Sequence, residues 1–178
     1  NLNSNEFDGM FYKETNIAAG RINEKGLDAL KKNNNVKKIY LDYPIKFSLT
    51  DSTKMVNSSL ANTLRVKGIY NITGKGVSVC VLDTGVNYSL NNLGGGLGKK
   101  VISGYDYVNN DNNPMDDNGH GTHIAGIIAS NGTITGVAPE ANIIAMKVLD
   151  SSGGGVVSSL INAIQWCIDN STKYNISV

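Results

Sequence analysis

Val77-Ser78-Val79-Cys80-Val81-Leu82-Asp83 is a nearly unbroken run of β-branched and apolar residues closed by a carboxylate. Such a run predicts a strand buried on both faces of a parallel sheet. It follows a turn, Thr73-Gly74-Lys75-Gly76. Residues 141–149 read as a second buried strand, and Val101-Ile102 with residues 105–108 as an edge strand. Between these, Ile124, Ile127 and Ile128 stand three and four apart, which predicts a buried helix opening at His120. Val157, Leu160, Ile161, Ile164, Cys167 and Ile168 predict another, ending near Asp169. Ile176-Ser177-Val178 reads as the start of a further strand. Strand, helix, strand, helix, strand is the pattern of an α/β fold with a doubly wound, mostly parallel sheet.

The bulk of the chain narrows the function. Its 178 residues suffice for one domain, or for a small and a medium one. Apolar residues make up 40%, enough for a core, and the net charge is only +1. That charge argues against nucleic acid, which selects a basic face. No apolar run is long enough to span a bilayer, and no signal-peptide pattern is visible. The chain opens on Asn1 rather than methionine, so a preceding segment is expected to have been trimmed. Cys80 in the apolar strand and Cys167 on the apolar side of a helix read as buried free thiols rather than a bridge. Asn57, Asn71, Asn87, Asn131, Asn170 and Asn175 each begin an Asn-x-Ser/Thr triplet. These triplets are either glycosylation acceptors or the chance product of an asparagine-rich chain.

Residues 1–48 read as a small, partial α/β unit, and 49–178 as the larger one. One strand is expected within 1–20. Asn23 is placed to cap a short helix bearing Leu27 and Leu30, ending at Asn33-Asn34-Asn35. Ile39, Leu41 and Tyr43 alternate with polar residues and predict a strand that Pro44 would end or edge. Residues 50–59 suit an exposed linker.

In an open parallel sheet, ligands gather beyond the carboxyl ends of the strands. Asp83 closes one strand there, and His120 opens the helix after the acidic loop 106–117. Gly119 and Gly121 leave room for another chain to approach the imidazole. A carboxylate bonded to one imidazole nitrogen fixes the tautomer, and the other nitrogen can then take a proton from a nucleophile. Taken singly, a strand-end aspartate is commonly a turn or cap residue, and a lone histidine is more often structural. His120 and His123 are spaced three apart, as zinc ligands can be, but no Glu follows in the His-Glu-x-x-His manner and no third ligand is evident.

Together, residues 74–85 with Asp83-Thr84-Gly85, and Asn118-Gly119-His120-Gly121-Thr122-His123-Ile124-Ala125-Gly126, resemble the Asp and His signatures of subtilisin-like serine proteases. Gly136-Val137-Ala138-Pro139, Ala145-Met146-Lys147-Val148-Leu149 and Gly153-Gly154-Gly155 agree with the same family in order and spacing. The resemblance covers about residues 70–178. It implies Asp83 as the orienting carboxylate and His120 as the general base, with His123 outside the triad and packing. It implies Gly153, Gly154 and Gly155 as the edge on which a peptide substrate lies, since backbone without side chains lets an extended peptide add as a strand. Leu149 and Val157 either line a side-chain pocket nearby or simply pack in the core. The resemblance further implies that residues 1–48 are propeptide-like, with a cleavage junction between residues 47 and 52, and that the protein acts outside the cell or at its surface.

Two departures qualify the resemblance. The family's nucleophile lies in Gly-Thr-Ser-Met-Ala, after an oxyanion asparagine, and no stretch here matches either. This chain is therefore expected to supply Asp and His and to be inactive alone, with a complementary C-terminal chain or segment carrying the serine. Where many relatives have a calcium-binding His-Pro-Asp-Leu, this chain reads Leu90-Asn91-Asn92-Leu93, and the loop 130–135 is short, so that site is expected to be absent. Asp106, Asp111 and Asn113 instead resemble a second calcium loop, against the plain reading of a solvated turn. No organic cofactor is implied. Two other functions stand beside a serine endopeptidase: a pseudoprotease or proregion-type module that binds a protease, and an aspartic protease. Asp83-Thr84-Gly85 also matches the aspartic motif, but it occurs once, without β-rich patterning, and leaves His120 idle.

Overall fold

The structure is a computed structural model and describes residues 6–12, 16–46, 65–66 and 70–178. The linker 50–59 and the junction between 47 and 52 lie outside the described residues. The chain divides into two compact units, Asn1–Tyr43 and Pro44–Val178.

In the first unit, β1 (Phe7–Tyr12) pairs antiparallel with β2 (Ile17–Ile22), with Phe7 opposite Ile22 and Tyr12 opposite Ile17. The helix α1 (Glu24–Lys31) follows, and Asn23 caps it by accepting the Gly26 N–H at 2.8 Å. The cap was legible in the sequence; the hairpin, where one strand was expected, was not. Residues 36–43 form no strand, contrary to the alternation of Ile39, Leu41 and Tyr43. The ladder begins instead at Pro44, because a strand is held by its partner rather than by its pattern.

That strand, β3 (Pro44–Lys46), belongs to the second unit. There follow the short pair β4 (Arg65–Val66) and β5 (Tyr70–Asn71), then β6 (Ser78–Asp83), β7 (Val101–Asp106), α2 (His120–Ala129), β8 (Asn142–Lys147), β9 (Gly154–Val156), α3 (Val157–Asp169) and α4 (Ser171–Tyr174). The main sheet is parallel, in the order β6-β8-β7. The central strand alternates its side chains between two buried clusters. Ile143 and Ala145 join Ala125 and Ala129 of α2, whereas Ile144 and Met146 join Ala163 and Cys167 of α3. With helices on both faces, this is the doubly wound arrangement read from the sequence. The last residues start a fourth parallel strand beside β6: Ser78 bridges Ile176, and the Cys80 N–H donates to the Val178 carbonyl at 2.8 Å.

Cys80 and Cys167 form a disulfide, with sulfurs 2.11 Å and Cα atoms 6.6 Å apart. The expectation of two free thiols is thus overturned. Each cysteine was read from its own burial alone. Both, however, face the layer between β6 and α3, and their Cα separation lies within the range a bridge spans.

Candidate active site

The three parallel strands end level. Asp83, Lys147 and Asp106 occupy one row of the sheet at its carboxyl end, where the crevice of such a fold lies. The Asp83 carbonyl accepts from the Val148 and Leu149 N–H groups at 2.9 and 3.1 Å, which pins the strand end. The carboxylate is nearly buried and accepts the Thr84 N–H at 2.7 Å.

His120 is the first residue of α2. Its Nδ1 stands 2.7 Å from Oδ1 and 2.8 Å from Oδ2 of Asp83, although the residues are 37 apart in the chain. A carboxylate only accepts, so it takes the Nδ1–H donor and fixes the tautomer in which Nε2 exchanges protons. The approach depends on Gly121. A Cβ there would lie 2.1 Å from the Gly85 carbonyl oxygen and 3.1 Å from Asp83 Oδ1, so only glycine lets the first turn of the helix meet the aspartate.

Three residues that the sequence reading passed over complete the site. Thr84 is fully buried; its hydroxyl accepts the Gly121 N–H at 3.0 Å and donates to Asp116 Oδ1 at 2.8 Å. Asp116 also accepts from the N–H groups of Asn118 and Gly119, each at 2.9 Å, and of Thr122 at 2.8 Å, and from the Thr122 hydroxyl. Partial burial would raise its pKa, but these donors outweigh it and hold the carboxyl below the usual range. Lys147, 1% exposed, donates to the carbonyls of Thr84 and Leu149 at 2.8 and 2.9 Å and to Asp117 Oδ1 at 2.6 Å. The signal in the sequence was a lone lysine directly after the apolar run Ile143-Ile144-Ala145-Met146: a charge buried there must be paired.

Beyond the pair lies the glycine segment. Asp150 Oδ1 accepts from the Ser152 hydroxyl and the Ser152 and Gly154 N–H groups, shaping a tight turn in which Gly153 has φ +77°. The Ser152 hydroxyl leads the donors that lower the Asp150 pKa. The Asn118 side-chain amide donates to the Ser151 carbonyl at 2.8 Å, joining this turn to the loop before His120. β9 pairs antiparallel with β3: Ile45 stands opposite Gly155 and Lys46 opposite Gly154. An extended segment of the chain thus already adds as a strand along this edge. Leu149 is 5% exposed and packs in the core cluster with Ile144, Met146 and Cys167, while Val157 opens α3. His123 is exposed.

As placed, the side chains of Asp106, Asp111 and Asn113 do not make a calcium cage. Asp106 accepts the Val108 and Asn109 N–H groups through Oδ1 and the Asn109 amide through Oδ2. Asp111 Oδ1 accepts the Asn113 N–H, and Asn113 Oδ1 accepts from the Tyr88 hydroxyl. Among the described residues, no group of three His, Cys, Asp or Glu side chains is arranged to hold a metal ion, and no helix is long and apolar enough to cross a membrane.

Residues 74–178 match the model of the subtilase family. The chain belongs to that family. The serine protease AprX of Bacillus subtilis is 36% identical over 163 residues, covering 88% of this chain and 35% of that protein. Thermitase of Thermoactinomyces vulgaris is 43% identical over 104 residues, covering 56% of this chain and 36% of that protein. The crystal structure of a cold-adapted subtilisin-like serine proteinase aligns with a TM-score of 0.50 at 40% identity, covering 61% of this chain and 38% of that one. The subtilase match confirms the resemblance read from the Asp83 and His120 signatures. The chain spans little more than a third of the length of these subtilase relatives.

Proposed function

We propose that this chain supplies the acid–base half and part of the substrate edge of a subtilisin-like serine endopeptidase. The observation that carries the reading is the contact of Asp83 with Nδ1 of His120 at the mouth of the parallel sheet. Asp83 holds the imidazole, Nε2 of His120 takes the proton of an attacking serine hydroxyl, and the imidazolium that results is stabilised by the carboxylate. The same nitrogen then protonates the leaving amine. The serine and the oxyanion donor come from residues outside these 178, in a later segment or a complementary chain. A peptide substrate lies along Gly153, Gly154 and Gly155 as an added strand. The pairing of Pro44–Lys46 with Gly154–Val156 supports this, because the chain's own backbone fits the edge.

Residues 1–48 act as a proregion whose end occupies that edge until it is cut, between residues 47 and 52. The Cys80–Cys167 bridge supports an oxidising location outside the cytosol. The decisive experiment is labelling of the assembled protein by a fluorophosphonate, with peptide hydrolysis measured alongside. Labelling that is lost in His120→Ala supports the reading. Neither labelling nor hydrolysis, together with tight binding to a protease, would replace it with a binding module.

A further inference from the structure

Asp116 touches neither Asp83 nor the His120 ring in any bond described above, yet it holds the segments that carry both. α2 starts from Gly119, which offers no side-chain cap. The N–H groups of its first turn need acceptors from elsewhere. Thr122 N–H goes to Asp116 Oδ2, Gly121 N–H goes to the Thr84 hydroxyl, and that hydroxyl goes on to Asp116 Oδ1. Thr84 is the residue after Asp83, and its own N–H donates to the Asp83 carboxylate. The Thr122 hydroxyl, bonded to Asp116, also accepts the Asn87 N–H at 2.8 Å. One carboxylate therefore clamps the turn after β6 to the first turn of α2. A negative charge at a helix N-terminus adds to that hold. The first residue of a helix is where fraying is greatest, and His120 is that residue.

We propose that Asp116 is the positioning residue of the pair, fixing the His120 imidazole against Asp83 through Thr84 and the first helical turn. This rests on the catalytic reading of Asp83 and His120 and adds to it a residue that touches neither substrate nor nucleophile. A plain helix cap would contribute stability only. A positioning residue changes the Asp83–His120 hydrogen bond itself.

The test uses the protein together with any chain that copurifies. The proton on His120 Nδ1, bonded to a carboxylate, gives a far-downfield NMR resonance that reports the pair independently of turnover. Asp116→Asn keeps the shape but replaces one acceptor oxygen with a donor. It is expected to abolish or broaden that resonance and to lower kcat by roughly 10- to 100-fold, with KM changed by less than about twofold. Thr84→Val is expected to do the same, and Thr84→Ser, which restores the hydroxyl, to recover both readouts; this second series serves if Asp116→Asn does not fold. Ser130→Ala removes the Ser130 hydroxyl bond to the Ile134 carbonyl, 2.6 Å long, at the other end of the same helix. It is expected to lower stability and leave the resonance in place. Retention of the resonance and kcat in Asp116→Asn or Thr84→Val would overturn the proposal, as would an equal loss in Ser130→Ala. A parent protein with the resonance but no hydrolysis would refute the proposed activity, while the variants would still decide the role of Asp116. A parent without the resonance would refute both.

Discussion

Gly121→Ala puts the geometry of the pair to a direct test. The new Cβ would lie 2.1 Å from the Gly85 carbonyl oxygen, a backbone atom that cannot swing aside. An ordinary carbon–oxygen contact is about 3.3 Å, so the helix start and the turn after Asp83 must separate by about 1 Å. The His120–Asp83 distance, now 2.7 Å, would then approach about 3.7 Å, beyond a hydrogen bond. A displacement of that size at a reacting group costs on the order of 100-fold in rate. The overpacking itself costs about 1–3 kcal/mol. Gly126→Ala, in the same helix, is the matched control: nothing lies within 4 Å of its Cβ position, so it is expected to gain about 0.5–1 kcal/mol and to keep full activity. The assay is kcat/KM on a chromogenic peptide anilide with the assembled protein, beside thermal unfolding of each variant. A Gly121→Ala protein whose kcat/KM stays within about twofold of the parent would refute the argument that backbone contact sets the pair.

Lys147→Met leaves the Thr84 and Leu149 carbonyls without their donor, at about 1–3 kcal/mol each, and calorimetric unfolding should show a loss of at least that order. Cys80→Ala/Cys167→Ala opens a loop of 87 residues, for which chain entropy sets a loss of about 4–5 kcal/mol, read as a lower denaturant midpoint. For Asp116, the folded-state pKa is depressed, so its stabilisation is present above the unfolded value near about 4 and fades as pH falls through the folded value. The stability gap between the parent and Asp116→Asn should therefore be constant at neutral pH and close in acid; a gap that widened in acid would contradict this. Titration with millimolar calcium is expected to give no saturable heat from the 106–113 loop. An uptake abolished by Asp111→Asn would show that the loop rearranges to bind.

The sequence carried the α/β architecture because burial on both faces writes itself as an apolar run. Val77–Leu82 and residues 141–149 could hardly be anything else, and the isoleucines after His120 marked the helix that packs on them. Asp83 and His120 were legible for a different reason: each sits at an element boundary that the topology brings to one crevice, and the residues around each resemble the subtilase Asp and His signatures. What escaped notice depends on partners. Ile39, Leu41 and Tyr43 had the alternation of a strand, but the ladder forms only where Gly154–Val156 offers an edge. Cys80 and Cys167 each looked buried, and only the packing of α3 on β6 makes them neighbours. Asp116, Thr84 and Lys147 act through distances between polar atoms, which no periodicity encodes.

The pairing of Pro44–Lys46 with Gly154–Val156 has a kinetic meaning. A strand tethered to the surface it covers competes at an effective concentration in the millimolar range, set by tether length and not by how much protein is present. On the proposed reading of Gly153–Gly155 as the substrate edge, a free peptide of modest affinity would meet an occupied berth, and diluting the sample would do nothing to clear it. If residues 1–48 are the proregion proposed above, severing the tether would turn that local excess into an ordinary ligand that drifts off, and a single cut would convert a standing blockade into open access.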